Sequence, residues 1–431
     1  MDATLGNPGY DVRHYDLDLR FDPDGRVLDA VVTLSATMTA DLDTVNVDLI
    51  GFDVEDVAVD GEDAAFARTE RDITVRPRQL LVAGQEFSLA VRYRGTPQPF
   101  SSASGFPAPI GWRVSASGTE YVVSGADGAR SWFPANDHPS DKASFTFRIK
   151  VPEPLTVAAN GVLVDTVATA GGTTWTWEMG DPMAPYLATV VIGDYVIVDD
   201  VEATAIAGVP VRNMLPRDFE ETSDPVWRES LARQGEMIAF LTERFGPYPF
   251  DAYGIAAVPG APGGGLETQT LSILGTLLEG VVFHELAHQW FGNHVSVARW
   301  QDIWLGEGFA TYATWLWQEH RGEATVSDLA AFEHDQQRAL KLPPPADPPP
   351  SHLFNRSVYG RGALTLHALR LQIGDDAFSR TLRAWVDRYG GGGASTQDFV
   401  ALAEEISASD LTSLFEAWLY ADTMPDLPAG N

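Results

Sequence analysis

The sequence predicts an α+β chain in two parts, a β domain over residues 1–200 and a mainly helical domain over 201–431. Three observations carry this. Apolar and polar side chains alternate with a period of two through the first 200 residues, and after Gly208-Val209-Pro210 the period changes to 3.6. A chain of 431 residues is also too long for one ordinary core.

The alternation is plain in Tyr15-Asp16-Leu17-Asp18-Leu19-Arg20-Phe21 and recurs over 31–36, 87–93 and 145–151. Gly, Pro and Asp turns separate these runs at short intervals, the pattern of a sandwich or a large twisted antiparallel sheet. Gly161 and Gly171-Gly172 suit hairpin turns. Farther on, Leu231, Met237, Ile238 and Leu241 fall at helical spacing in a segment that stops at Gly246-Pro247. Helices are expected at about 279–292, 307–320, 325–341, 360–372, 375–389, 396–407 and 410–421. Between two of them, residues 341–350 hold six prolines and must be an extended connector.

Composition narrows the function classes. Hydrophobic residues make up 45% of the chain, with 12 Trp, 12 Tyr and 21 Phe, so it has ample apolar area to bury. Lys and Arg number 29 against 60 Asp and Glu, a net charge of −31 spread along the whole sequence. Such a surface repels nucleic-acid phosphates and anionic membranes, which argues against both as partners. Cysteine is absent, so disulfides, zinc thiolates and cysteine nucleophiles are all excluded, and any metal falls to His and carboxylates. The start of the sequence has no basic, apolar leader pattern, and no uncharged stretch of 18 apolar residues occurs. A cytoplasmic monomer is the expectation.

The chemistry concentrates in His284-Glu285-Leu286-Ala287-His288, inside the run VVFHELAHQWFG. A spacing of four puts both histidines on one helix face, one turn apart, so two imidazoles can reach one ion. Glu285, on a neighbouring position, can hold water beside the metal without ligating it. Catalytic zinc needs a third protein ligand and an open fourth position. Glu307 is the natural candidate, between Gly306 and Gly308 at the start of a new helix. The 18 residues between His288 and Glu307 allow one helix to end near Gly292 and a second to return.

At these residues the chain resembles the aminopeptidase N family of zinc metallopeptidases, which also contains puromycin-sensitive enzymes and a leukotriene-type epoxide hydrolase. The likeness rests on HELAHQWFGN at 284–293 and WLGEGFAT at 304–311, and extends over nearly the whole sequence. It implies a saddle-like β domain followed by a thermolysin-like catalytic domain. It further implies that His284, His288 and Glu307 bind one zinc ion, with Glu285 as general base.

Gly264-Gly265-Leu266-Glu267-Thr268 stands where the family has Gly-Ala-Met-Glu-Asn, which implies that Glu267 grips the free α-amino group of a peptide. Gly264 and Gly265 would let an extended peptide approach the backbone, and Leu266 would line the first side-chain pocket. Val358-Tyr359-Gly360-Arg361-Gly362 is similar to the family's Tyr-x-Lys-Gly block, giving Tyr359 the role of donor to the oxyanion. Asn293 and Asp302 flank the ligands; orienting an imidazole, or capping and loop closure, are equally open for them.

The chain departs from the family pattern in two ways. Upstream of the block Trp132-Phe133-Pro134-Ala135-Asn136-Asp137-His138-Pro139, a family Glu or Gln that helps hold the amine corresponds to Gly125. Either Asp127 substitutes for it or amine recognition rests on Glu267. The sequence also lacks a counterpart of the family's C-terminal helical domain, which implies a more open cleft. The rival functions are a thermolysin-like zinc endopeptidase, which needs no amine anchor, and a non-catalytic peptide-binding protein.

Overall fold

The computed structural model of the protein describes residues 5–261 and 264–428. Its largest sheet has eight strands. In spatial order they are Val162–Thr169, Gly172–Met183, Ala143–Val151, Tyr10–Asp22, Val27–Met38, Glu86–Gly95, Asp53–Val59 and Glu62–Asp63. In the strand Tyr10–Asp22, Tyr15, Leu17, Leu19 and Phe21 face the core while Asp18 and Arg20 face water, as the period-two pattern requires. Neighbouring strands are antiparallel except Tyr10–Asp22 against Ala143–Val151, which run parallel. The sheet is therefore mixed rather than wholly antiparallel. The long connection over residues 23–142 returns the chain in the same direction as it left, which no short hairpin can do.

A four-stranded sheet of Gly111–Val114, Glu120–Val123, Val190–Gly193 and Thr156–Ala159 adds a second layer. An aromatic cluster fills the core of this half. Trp132 meets Phe133 with ring centroids 4.6 Å apart, and Tyr15 stacks on Phe145 at 4.8 Å. Trp132 and Phe133 are fully buried, so the Trp-Phe-Pro block anchors the core.

The later half is not purely helical. Tyr195–Asp199, Arg212–Pro216, Gly254–Ala257, Leu271–Leu274 and Gly265–Leu266 form a five-stranded sheet in that order, with Gly265–Leu266 at one edge. Around it pack the longer helices: α1 (Gln234–Phe245), α2 (Glu279–Ala287), α3 (Trp304–His320), α4 (Val326–Leu340), α5 (Arg356–Ile373), α6 (Asp375–Tyr389) and α7 (Thr396–Ser407). Leu231, Met237, Ile238 and Leu241, at helical spacing in the sequence, fall on two helices, Pro225–Ala232 and α1, which meet at Arg233. The prolines of 341–350 hold the chain out of helix until the short turn at Pro350–His352.

One helix crossing fixes the site. A Cβ added to Gly308 of α3 would lie 2.8 Å from the backbone of Gly362 in α5, and one added to Gly362 would lie 3.0 Å from the Cα of Gly308. The two backbones can touch only because both positions lack side chains, and the contact brings Glu307 and Tyr359 to the same place.

A partly buried lysine ties the two halves together. Lys142, just before the strand Ala143–Val151, donates from Nζ to the carbonyls of Asn293 at 2.8 Å and His294 at 3.0 Å. Burial presses its pKa down to about 7, against the opposing pull of Asp181. The ordinary lysine value is about 10.4, so between about pH 7 and pH 10 the unfolded chain binds more protons than the folded one. Stability contributed by this site therefore rises with pH across that window. Urea denaturation at about pH 7 and pH 9.5 should show a larger gain in the parent protein than in Lys142→Met. An equal gain in both would refute the role given to Lys142.

Candidate metal centre

Helix α2 is built to present one face. Val282, Phe283 and Leu286 are buried beneath it. Phe283 stacks on Trp317 of α3 at 5.0 Å, and Trp317 Nε1 donates to Glu279 at 2.9 Å. These contacts hold α2 against α3 and set His284 and His288 opposite Glu307. His288 stands just past the last helical residue, Ala287, but keeps helical backbone angles, so the four-residue spacing survives the helix end.

The three side chains converge. His284 Nε2 lies 3.1 Å from His288 Nε2, and Glu307 Oε2 lies 3.4 Å from the first and 3.3 Å from the second. Ligand bonds of about 2.0–2.1 Å arranged tetrahedrally put neighbouring donor atoms about 3.3 Å apart. The donor set fits zinc in type, number and spacing. His288 Nδ1 lies 3.0 Å from the carbonyl of Phe291, so that nitrogen carries the proton and Nε2 keeps its lone pair for the metal.

The triad opens into a cavity of about 490 Å3 also lined by Gly125, Gly265, Leu266, Glu267, Glu285 and Tyr359. Burial raises the pKa of Glu285 well above the usual carboxylate range, and the charges of Glu267 and Glu307 add to the rise while His288 opposes it. Glu267 is raised chiefly by burial as well, with Glu307 adding to it against His288. Tyr359 is held neutral by burial and by the three carboxylates, so its hydroxyl is a donor. Its ring stacks on His284 at 6.2 Å.

Glu267 is positioned from below by the metal-binding segment itself. Its backbone carbonyl accepts from Asn293 Nδ2 at 2.6 Å and from Gln289 Nε2 at 3.4 Å. Gln289 Oε1 also accepts from the backbone N–H of Thr270 at 2.8 Å. From the β half, Asn160 Nδ2 donates to the carbonyl of Gln269 at 2.7 Å and the Gly161 N–H donates to Thr270 Oγ1 at 2.6 Å. The turn over residues 267–270 is thus held from two sides.

Not every residue singled out in the sequence reaches the cavity. Asp127 is a correction: its carboxylate accepts from Arg130 Nη2 at 2.5 Å and from Ser102, and Gly125 rather than Asp127 lines the cavity. Its charge is already spent on a buried guanidinium. Gly264 makes the turn into the edge strand and gives its carbonyl to the Gly275 N–H at 2.9 Å. Pro262 and Gly263 of the same Gly-rich run lie outside the described residues. Asp302 accepts from Thr396 Oγ1 at 2.6 Å and Arg299 Nε at 2.9 Å, which closes the start of α7. Asn293 grips Glu267, and among the described residues neither it nor Asp302 is hydrogen-bonded to an imidazole.

Sequence reasoning missed three supports: Lys142, Gln289 and Arg361. The guanidinium of Arg361 binds the carbonyls of Trp418 at 2.8 Å, Ala417 at 2.9 Å and Ala421 at 2.6 Å, pinning the last turns of the chain beside α5. An arginine two positions from Tyr359 was the available signal in the case of Arg361.

Two histidines and a carboxylate at one ion's spacing, beside a buried glutamate in a sheet-edged cleft, define a zinc metallohydrolase. Comparison with known proteins narrows this class. The Peptidase M1 N-terminal domain matches residues 12–187 and the Peptidase family M1 domain matches residues 229–418. The chain belongs to peptidase family M1.

The M1 zinc metallopeptidase of Deinococcus radiodurans superposes with a TM-score of 0.89 at 33% identity, over all of this chain and 98% of that one. A variant of that enzyme, solved bound to a Tyr-Ser-Ala substrate, gives 0.90 at 33% identity, over 99% and 98% of the two chains. Among curated relatives, aminopeptidase N of Streptomyces lividans is 27% identical over 68% of this chain, and aminopeptidase 2 of Candida albicans 22% over 94%. The chain spans 36% and 46% of the length of those two relatives. Among the described residues, no helix is long and apolar enough to cross a membrane.

The edge strand limits where Glu285 can sit. A Cβ at Gly265 would come within 2.5 Å of Glu285 Cγ. Gly265→Ala should therefore turn the Glu285 carboxylate away while leaving the three ligands in place. Metal analysis should still find one zinc per chain, with kcat/KM down by about a hundredfold, the scale of a misplacement near 1 Å. Full activity would show that Glu285 has another position from which to work.

Proposed function

We propose that the chain is a zinc-dependent aminopeptidase, which hydrolyses the first peptide bond of peptides with a free N-terminus. The observation that carries this is Glu267, a third carboxylate facing the same cavity as the triad and Glu285. Water activation does not need it, whereas an α-ammonium group does. The names of the curated relatives and the tripeptide bound to the Deinococcus enzyme support the same reading.

Zinc, when bound, supplies Lewis acidity toward water and the scissile carbonyl. The protein's own groups do the rest. Glu267 holds the ammonium end and so measures one residue from the metal. The Gly265–Leu266 edge offers main-chain groups to an extended substrate, with Leu266 against its first side chain. Glu285 accepts the proton from water and passes it to the leaving nitrogen. The Tyr359 hydroxyl donates to the oxygen on which charge develops. We further propose a division of the chain near residue 200 and a cytoplasmic monomer, consistent with an acidic, cysteine-free chain; size-exclusion chromatography checks the monomer.

Glu285→Gln should keep its zinc and lose roughly a hundred- to ten-thousandfold in kcat, the usual range for a positioned base. A variant with full turnover would remove Glu285 from the mechanism.

Selection for a free amine has its own measurement. The parent should cleave Leu-Leu and leave N-acetyl-Leu-Leu intact. Glu267→Ala should lose about ten- to a hundredfold in kcat/KM on the free peptide, the range for a charge-assisted hydrogen bond. If the parent cleaves blocked and free peptides equally, the endopeptidase reading replaces this one.

A further inference from the structure

Glu267, Glu285 and Glu307 all face the cavity, yet among the described residues one permanent cation shares its wall, Arg356. It begins α5, three residues before Tyr359, so the two side chains share a face about 4.5 Å apart along the helix axis. Tyr359 stands at the metal centre, which puts Arg356 within a short peptide's reach of it.

Its guanidinium is uncommitted. It makes no hydrogen bond among the described residues, and its one ion pair, with Glu333, is long at 3.7 Å. More than half of the side chain, 55%, is exposed. Compare Arg361, five residues farther along the same helix, whose Nε and Nη2 both donate to backbone carbonyls. An arginine fork with free donors on a cavity wall matches a carboxylate bidentately. Phe106 and Phe354, edge to face at 5.4 Å, form an apolar wall in the same cavity, suited to the side chain beside such a carboxylate.

We propose that Arg356 binds the C-terminal carboxylate of the substrate, so that the preferred substrates are dipeptides and tripeptides held by charge at both ends. This rests on the aminopeptidase reading and deepens it: Glu267 takes the ammonium end and Arg356 the carboxylate end. The cavity, about 490 Å3, is of small-ligand size. An extended residue spans about 3.3 Å, so only a short chain brings its carboxylate back to the wall that also carries Tyr359.

The test compares Leu-Leu and Leu-Leu-Leu with their C-terminal amides. The parent should favour each acid over its amide by about ten- to a hundredfold in kcat/KM, mostly through KM, as expected for a charge-assisted pair. Arg356→Gln should collapse that ratio toward one, Arg356→Lys should keep part of it, and Arg356→Glu should invert it in favour of the amide. Glu333→Gln, which frees the guanidinium from its distant partner, should keep or raise the ratio. Equal rates for acid and amide in the parent, with free-amine selection intact, would overturn the Arg356 assignment alone. An acid preference that survives Arg356→Gln would do the same. No turnover of any free-amine peptide would overturn the aminopeptidase reading and this inference with it.

Discussion

One zinc ion touches three side chains only if their donor atoms lie about 3.3 Å apart, and a few tenths of an ångström decide whether it binds. Two of the donors here share a helix turn, so their spacing comes with the helix. The third does not. Glu307 arrives on α3, and its place is set by Phe283 stacked on Trp317, by Phe291 against Phe309 at 4.9 Å, and by the backbone contact of Gly308 with Gly362. The same glycine contact carries α5, and therefore Tyr359 and Arg356, to the cavity. A core that looks generic is thus the device that holds the metal geometry.

The β half contributes no ligand, yet it braces the site. Lys142 holds the carbonyls of Asn293 and His294, Tyr186 donates to the carbonyl of Gly292 at 3.1 Å, and Asn160 with Gly161 holds the segment after Glu267. These bonds converge on the loop that follows the two histidines and on the turn that carries Glu267. The distance from the metal centre to Glu267 depends on both being fixed. In the proposed function that distance would set which peptide bond is cut, so the first half of the chain would act on selectivity through backbone position rather than chemistry.

What the sequence made legible follows from what is local. The histidine spacing, the Gly-flanked glutamate, the alternation of Tyr15 to Phe21 and the proline run each encode their structure within a few residues, and each appears where expected. The parallel pairing of Tyr10–Asp22 with Ala143–Val151 joins strands more than a hundred residues apart, and no local pattern records direction. Asp127 illustrates the same limit at the site. Its nearness to Gly125 in sequence suggested a substitute carboxylate, but Arg130, one helical turn away, captures it first. Lys142 and Gln289 were illegible because their partners are main-chain carbonyls and amides, which any sequence supplies.

The cavity's charge balance links these supports to the reaction. Three carboxylates around one cavity repel one another in a poorly solvated space, which is why burial and mutual repulsion raise the pKa of both Glu267 and Glu285. A divalent cation at the triad offsets two of the three negative charges. It also draws Glu285 down toward the ionised form that a base requires. Of the carboxylate charges one is then left, on Glu267, which in the proposed function a substrate ammonium would match, while Arg356 would match the substrate's own carboxylate. A peptide blocked at its N-terminus leaves that charge buried and unpaired, and the desolvation it suffers is returned by nothing. On the proposed function, selection for a free amine would follow from charge balance in the loaded cavity, and it would need no steric barrier at the end of the cleft.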